Sequence, residues 1–142
     1  MADNRGDKGH VMPIEYLIDH DRKLVSAKAR DTLTDEDVFG YQCDVWSRDD
    51  TAGYDELVDM SEVEHIALPS VDRVRQLASL SADMDAPSLA SKLAIIAPQN
   101  VAFGLGRMYA TYRQMQAQSR KHVEVFRSRR EALAFLGVKG LE

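Results

Sequence analysis

Cysteine occurs once, at Cys43, so no intrachain disulfide can form and a packed core has to carry the stability. No apolar run approaches the roughly 18 residues of a membrane-spanning helix, and the N-terminus lacks the apolar stretch of a secretory signal. Basic residues are the minority charge. The 18 Lys and Arg against 23 Asp and Glu leave a net charge of −5, which argues against a dedicated nucleic-acid binder. His10, His20, His65 and His122 share no metal-ligand spacing, and Cys43 has no second cysteine to complete a zinc set. Gly104-Leu105-Gly106 lacks the third glycine, and the lysine followed by Ser or Thr, of a phosphate-binding loop. No nucleophile elbow or catalytic triad is legible. Local motifs therefore name no catalytic residue, metal or cofactor.

What is present describes a globular chain. Its 142 residues, 44% hydrophobic and 29% charged, are enough to bury one sizeable core. Residues 1–12 are polar and glycine-containing and are expected to form a flexible arm, with a single domain over 13–138 and a tail at 139–142. Leu141-Glu142 reads as a cloning remnant and carries no argument. With a lone cysteine and no signal, a cytoplasmic location is expected.

Apolar alternation gives strands at Ile14–Ile18 and Leu24–Ala29, joined by the turn Asp19-His20-Asp21-Arg22 as an antiparallel hairpin. The second of these strands has one face that can be wet. Thr34-Asp35-Glu36-Asp37 reads as a capping box opening a helix that carries Val38, Tyr41, Val45 and Trp46. Asp49–Gly53 ends it, and Tyr54–Met60 supplies a third strand. A loop over Ser61–Pro69 leads to a helix at Ser70–Met84, with Val71, Val74, Leu77, Ala78 and Leu80 inward.

After the break at Asp85–Ser88, Lys92–Ala97 is a buried strand. The helix from Asn100 to about Gln118 places Val101, Leu105, Met108, Tyr112 and Met115 on one apolar seam. Val123–Phe126 and a helix capped by Ser128 close the chain. The order β-β-α-β-α-β-α-β-α predicts an α/β fold with a mixed, mostly parallel five-stranded sheet and an antiparallel N-terminal hairpin.

This order, with Leu33–Val38, Leu57–Val63, Phe103–Tyr109 and the run from Val125-Phe126-Arg127 into Glu131–Leu136, resembles the STAS/SpoIIAA-like superfamily over roughly Ile14 to Gly137. That superfamily includes bacterial anti-sigma-factor antagonists and domains of sulfate transporters. The chain is most similar to small stand-alone bacterial members. The resemblance implies a SpoIIAA-like fold and a non-enzymatic regulatory or protein-binding role. It also implies a phosphorylated serine where the helix after the third strand begins. Ser70 occupies the comparable place, without the acidic-Ser-Ser-Gly run of the antagonists.

The candidate sites follow from these readings. Ser70 serves as a helix cap and is the phosphorylation candidate. Ser61, Glu62, His65 and Asp72 form the candidate surface for a protein partner. Met108, Tyr109 and Tyr112 are the candidate lining of a pocket for a small apolar or lipid-like ligand. An enzyme would need Asp59, His65 and Arg107 gathered into one pocket. Gly104 and Gly106 read as close-packing positions, and Cys43 as an inert thiol. The basic cluster Arg120-Lys121-His122 with Arg127, Arg129 and Arg130 reads as a solvated face, or as a surface for phosphate or an acidic partner. A homodimer, through the glycine-bearing helix or an exposed edge strand of the N-terminal hairpin, is a further expectation.

Overall fold

The computed structural model describes residues 6–11, 13–67, 70–86 and 88–138. Three strands come first: β1 (Gly6–Val11), β2 (Ile14–Asp19) and β3 (Leu24–Thr34). They are followed by α1 (Asp35–Trp46), a single 3-10 turn at Asp49–Thr51, and β4 (Asp55–Ala67). The remainder is α2 (Val71–Met84), β5 (Ser91–Ile96), α3 (Asn100–Gln114), β6 (Lys121–Phe126) and α4 (Arg129–Leu136). The strands form one six-stranded mixed sheet in chain order, antiparallel from β1 to β3 and parallel from β3 to β6.

The sixth strand is β1, which the sequence analysis assigned to the arm. Its pairing with β2 runs from Gly6 opposite Asp19 to Val11 opposite Ile14. The run Gly6–Val11 has no apolar alternation to announce a strand. A local close approach marks it instead: a Cβ on Gly9 would stand 2.5 Å from the Tyr16 ring. Residues 1–5 and 12 of the expected arm, and the whole expected tail, lie outside the described residues.

Because strand order follows chain order, parallel crossovers of one hand all deposit their helices on the same face of the sheet. That is observed. α1 packs Tyr41, Val45 and Trp46 on Ile14, Ile18, Val25 and Ala27, while α3 packs Ala102 and Ala110 on Leu93, Ile95 and Val123. α2 lies against both helices. The opposite face receives α4, whose Ala132, Leu133 and Leu136 cover Leu24, Leu57, Ala94 and Ile96. β5 is therefore buried on both faces from Leu93 to Ile96. β3 instead alternates, with Val25, Ala27 and Ala29 buried and Ser26 and Lys28 half-buried on the face where α4 does not reach.

The caps expected from sequence are in place. Thr34 Oγ1 accepts from the Asp37 amide at 3.2 Å while the Asp37 carboxylate accepts from Thr34 N at 2.9 Å. Ser70 and Ser128 accept from the amides of Arg73 and Glu131, and Gly137 ends α4 in the left-handed region at φ 72°.

Two expectations need correction. The segment Ser61–Ala67, expected to be loop, continues β4 beside Arg30–Thr34. Register shifts between Lys28 and Arg30 and between Asp31 and Thr32 break the two-residue period that would have announced a strand, and Asp31 takes φ 58°. Residues 68 and 69 lie outside the described residues. In the two long helices the buried face is rotated from the expected seam. α3 ends at Gln114 and buries Ala102, Gly106, Ala110 and Arg113, leaving Val101 69% and Met115 72% exposed. In α2, Val71 is exposed while Val74 and Ala78 are buried. Small side chains let α3 lie close to the sheet, so its largest apolar residues ride on the flanks.

Gly106 is the contact that sets this distance: a Cβ there would stand 3.1 Å from Val125 and 3.7 Å from Ile95. Gly104 faces open space, contrary to the close packing expected of it. Gly106→Val should therefore cost about 1–3 kcal/mol in urea unfolding. Gly104→Ala should add up to about 1 kcal/mol through helix propensity alone. Equal effects at the two positions would contradict this placement of α3.

Candidate functional site

The open part of the α4 face is a cleft of about 890 Å³. Its apolar floor comes from Leu17 of β2, Leu57 of β4 and Ile96 of β5, and Leu17 is 36% exposed. Around that floor stand Ser26 and Lys28 of β3, Asp59 and Ser61 of β4, and Arg127 and Arg129 from the end of β6 and the start of α4. Alternation on β3 and β4 aims these side chains to one face. The ends of β5 and β6 at which the chain leaves the sheet also converge there, beside the middle of β4, a place where α/β sheets commonly bind ligands.

The polar groups of the cleft are held in place. The Asp59 carboxylate, only 7% exposed, accepts from the Ser61 amide at 2.9 Å and lies 3.6 Å from Arg129. Arg127 donates to the Pro98 carbonyl at 3.1 Å and the Asn100 side chain at 2.9 Å, with its guanidinium 4.2 Å from the Phe103 ring centre. Glu62 bridges Lys28 at 2.5 Å and Arg30 at 3.4 Å. The Lys28 hydrogen bond holds the Glu62 carboxyl below the ordinary carboxylate range. Lys8, Lys28, Arg127 and Arg129 outnumber Glu15 and Asp59 on the walls, a local cationic excess on an acidic chain. Among the described residues no histidine lines the cleft and no group of three His, Cys, Asp or Glu could hold a metal.

The residues singled out from sequence fall in different places. Ser61 lines the cleft and Glu62 adjoins it through Lys28. His65 is exposed further along β4, while Ser70 and Asp72 are exposed at the start of α2, Asp72 paired with Arg75 at 3.3 Å. Asp59, His65 and Arg107 are not gathered: Asp59 faces the cleft, whereas Arg107 lies exposed on α3 across the sheet. Cys43 is exposed on α1. In the basic cluster Arg127 and Arg129 reach the cleft, but Lys121 is buried rather than solvated. Leu17, Ser26 and Lys28 were not singled out, although the wet face of Leu24–Ala29 already pointed at the last two.

On the other side of the sheet, between β2 to β5 and the three helices, lies an apolar cavity of about 130 Å³. Tyr109 borders it; Met108 and Tyr112, also expected to line a pocket, do not.

Beside this cavity is a buried ionic cluster. The Glu56 carboxylate accepts from Tyr41 Oη at 2.7 Å, Trp46 Nε1 at 3.2 Å and Lys121 Nζ at 3.4 Å. Lys121 also stands 3.7 Å from the Trp46 ring centre. Arg113, 2% exposed, joins Tyr109 at 2.6 Å and pairs with Asp85.

Removing one partner of Glu56–Lys121 strands a buried charge, so Glu56→Leu and Lys121→Met should each cost about 3–5 kcal/mol in urea unfolding. The double variant should recover most of that loss, and additive losses would refute the coupling. Burial pushes the phenols of Tyr41, Tyr54 and Tyr109 up, Tyr41 further because the Glu56 carboxylate adjoins it. The unfolded chain then releases those protons first, and stability should fall as pH climbs past about 10. Burial lowers the Lys121 pKa, so its contribution has the opposite sign and grows as pH rises toward its unfolded value. Tyr41→Phe should flatten the alkaline decline; an unchanged slope would contradict the assignment.

No family model matches the chain, and no curated protein matches it. Among solved structures it is similar to an uncharacterised protein of the DUF3478 family with a SpoIIAA-like fold, from Shewanella loihica PV-4. That similarity has a TM-score of 0.50 and 17% sequence identity, over 96% of this chain and 98% of that one. No helix among the described residues is long and apolar enough to cross a membrane. The chain has a SpoIIAA-like α/β fold, as the sequence resemblance implied.

Proposed function

We propose that the chain is a non-enzymatic regulatory module that docks an acidic segment of a protein partner on the open half of its sheet. The observation that carries this reading is the cleft itself. It has an apolar floor with exposed Leu17, rimmed by Lys8, Lys28, Arg127 and Arg129 on a chain whose net charge is −5. Carboxylates or phosphates on the partner would meet the rim, which favours encounter and selects against basic competitors. Apolar side chains of the partner would cover Leu17, beside the already buried Leu57 and Ile96. Ser61 and Glu62 then belong to the docking surface, with His65 at its far end. Ser70 and Asp72 stand apart from the cleft lining, and Ser70 is the residue at which phosphorylation would be sought, its exposed hydroxyl already at a helix N-terminus.

The test is titration of the isotope-labelled chain with a fluorescent Glu-rich peptide bearing two leucines, followed by anisotropy and amide shifts. Saturable binding that weakens with salt, with shifts at Leu17, Ser26 and Lys28, is expected. Leu17→Asp and Lys28→Gln should each weaken it by about tenfold or more. Binding indifferent to both substitutions, or shifts confined to the helical face, would overturn the reading.

A further inference from the structure

The cavity behind the sheet calls for an occupant of a different kind. Its sheet wall includes Val58, Met60 and Ile66 of β4 and Leu93 and Ile95 of β5, with further residues of β2 and β3, and its helical wall comes from α1, α2 and α3. Well-packed interiors hold few gaps larger than a water molecule, and this partly open cavity has a volume of about 130 Å³.

The polar side chains on its walls decide what fits. Asp35 pairs with Arg73 at 2.6 Å, and that guanidinium lies 4.2 Å from the Phe39 ring centre. Gln42 accepts from Ser81 at 2.9 Å and Tyr109 accepts from Arg113 at 2.6 Å. Tyr41 donates to Glu56, whose carboxylate also accepts from Trp46 and Lys121. Each of these wall groups already has its partner within the protein. An apolar ligand displaces none of these bonds and meets the aliphatic side chains that make up most of the wall.

The volume is comparable to an engineered cavity of roughly 150 Å³ that takes up benzene. We infer that this cavity is a binding site for one small uncharged apolar molecule, about the size of a single aromatic ring. The site lies across the sheet from the docking cleft and does not depend on that reading.

The experiment is methyl NMR of the full chain titrated with benzene, and separately with naphthalene. Benzene should give saturable shifts at Val58, Ile66, Leu93 and Ile95 and raise the thermal midpoint. Val58→Phe fills the cavity and should weaken benzene binding by about tenfold or more. Leu93→Ala enlarges it, and should strengthen naphthalene binding by about tenfold relative to the unaltered chain; this arm decides the matter if Val58→Phe fails to fold. Absence of saturable shifts, shifts confined to residues off the cavity wall, or unchanged affinity in a folded Val58→Phe or Leu93→Ala protein would overturn the inference.

Discussion

Everything distinctive about this molecule follows from a sheet whose spatial order is its chain order. Crossovers of one hand then stack α1, α2 and α3 on a single face, and only a helix after the last strand can reach the other. An eight-residue α4 covers β4, β5 and the start of β3, and cannot extend over β2 as well. The result is a sheet that is dry on one side and half open on the other. The open half is where Leu17, Ser26 and Lys28 meet solvent.

The dry side carries its own constraint. A helical layer built on small side chains such as Ala102, Gly106 and Ala110 approaches the sheet closely but fills space unevenly. Polar groups are drawn into that layer, and Glu56 ties α1 to β6 through Tyr41, Trp46 and Lys121. Such a cluster adds little net stability compared with apolar packing, yet it penalises any arrangement that separates its members. It fixes the position of α1 relative to β4 and β6, while an apolar gap persists beside it.

Much of the fold was legible because local rules agreed with the global arrangement. Thr34 and Ser128 announced their helices by capping, and Lys92–Ala97 announced a strand covered on both faces. The alternation of Leu24–Ala29 already implied one wet face, and that face proved to be the cleft. The rest was hidden for identifiable reasons. Gly6–Val11 is a polar edge strand specified by backbone pairing. Ser61–Ala67 is a strand whose period is broken by register shifts. The buried face of α3 is made of alanine and glycine, so a search for large apolar residues lands on its flanks. Lys121 reads as surface charge in sequence, because only the fold supplies Glu56 and Trp46 around it.

The proposed docking puts a protein partner on the open half of the sheet and none on the outer surface of the helices across it. Site-specific photo-cross-linking in the native host distinguishes the two most directly, with the reactive group placed at exposed Leu17 or at exposed Gln76 on α2. The account predicts a discrete adduct with one other protein from Leu17 and none from Gln76, with the cross-linked peptide rich in Asp or Glu. Adducts from Gln76 alone, or from Leu17 only to a second copy of this chain, would contradict it.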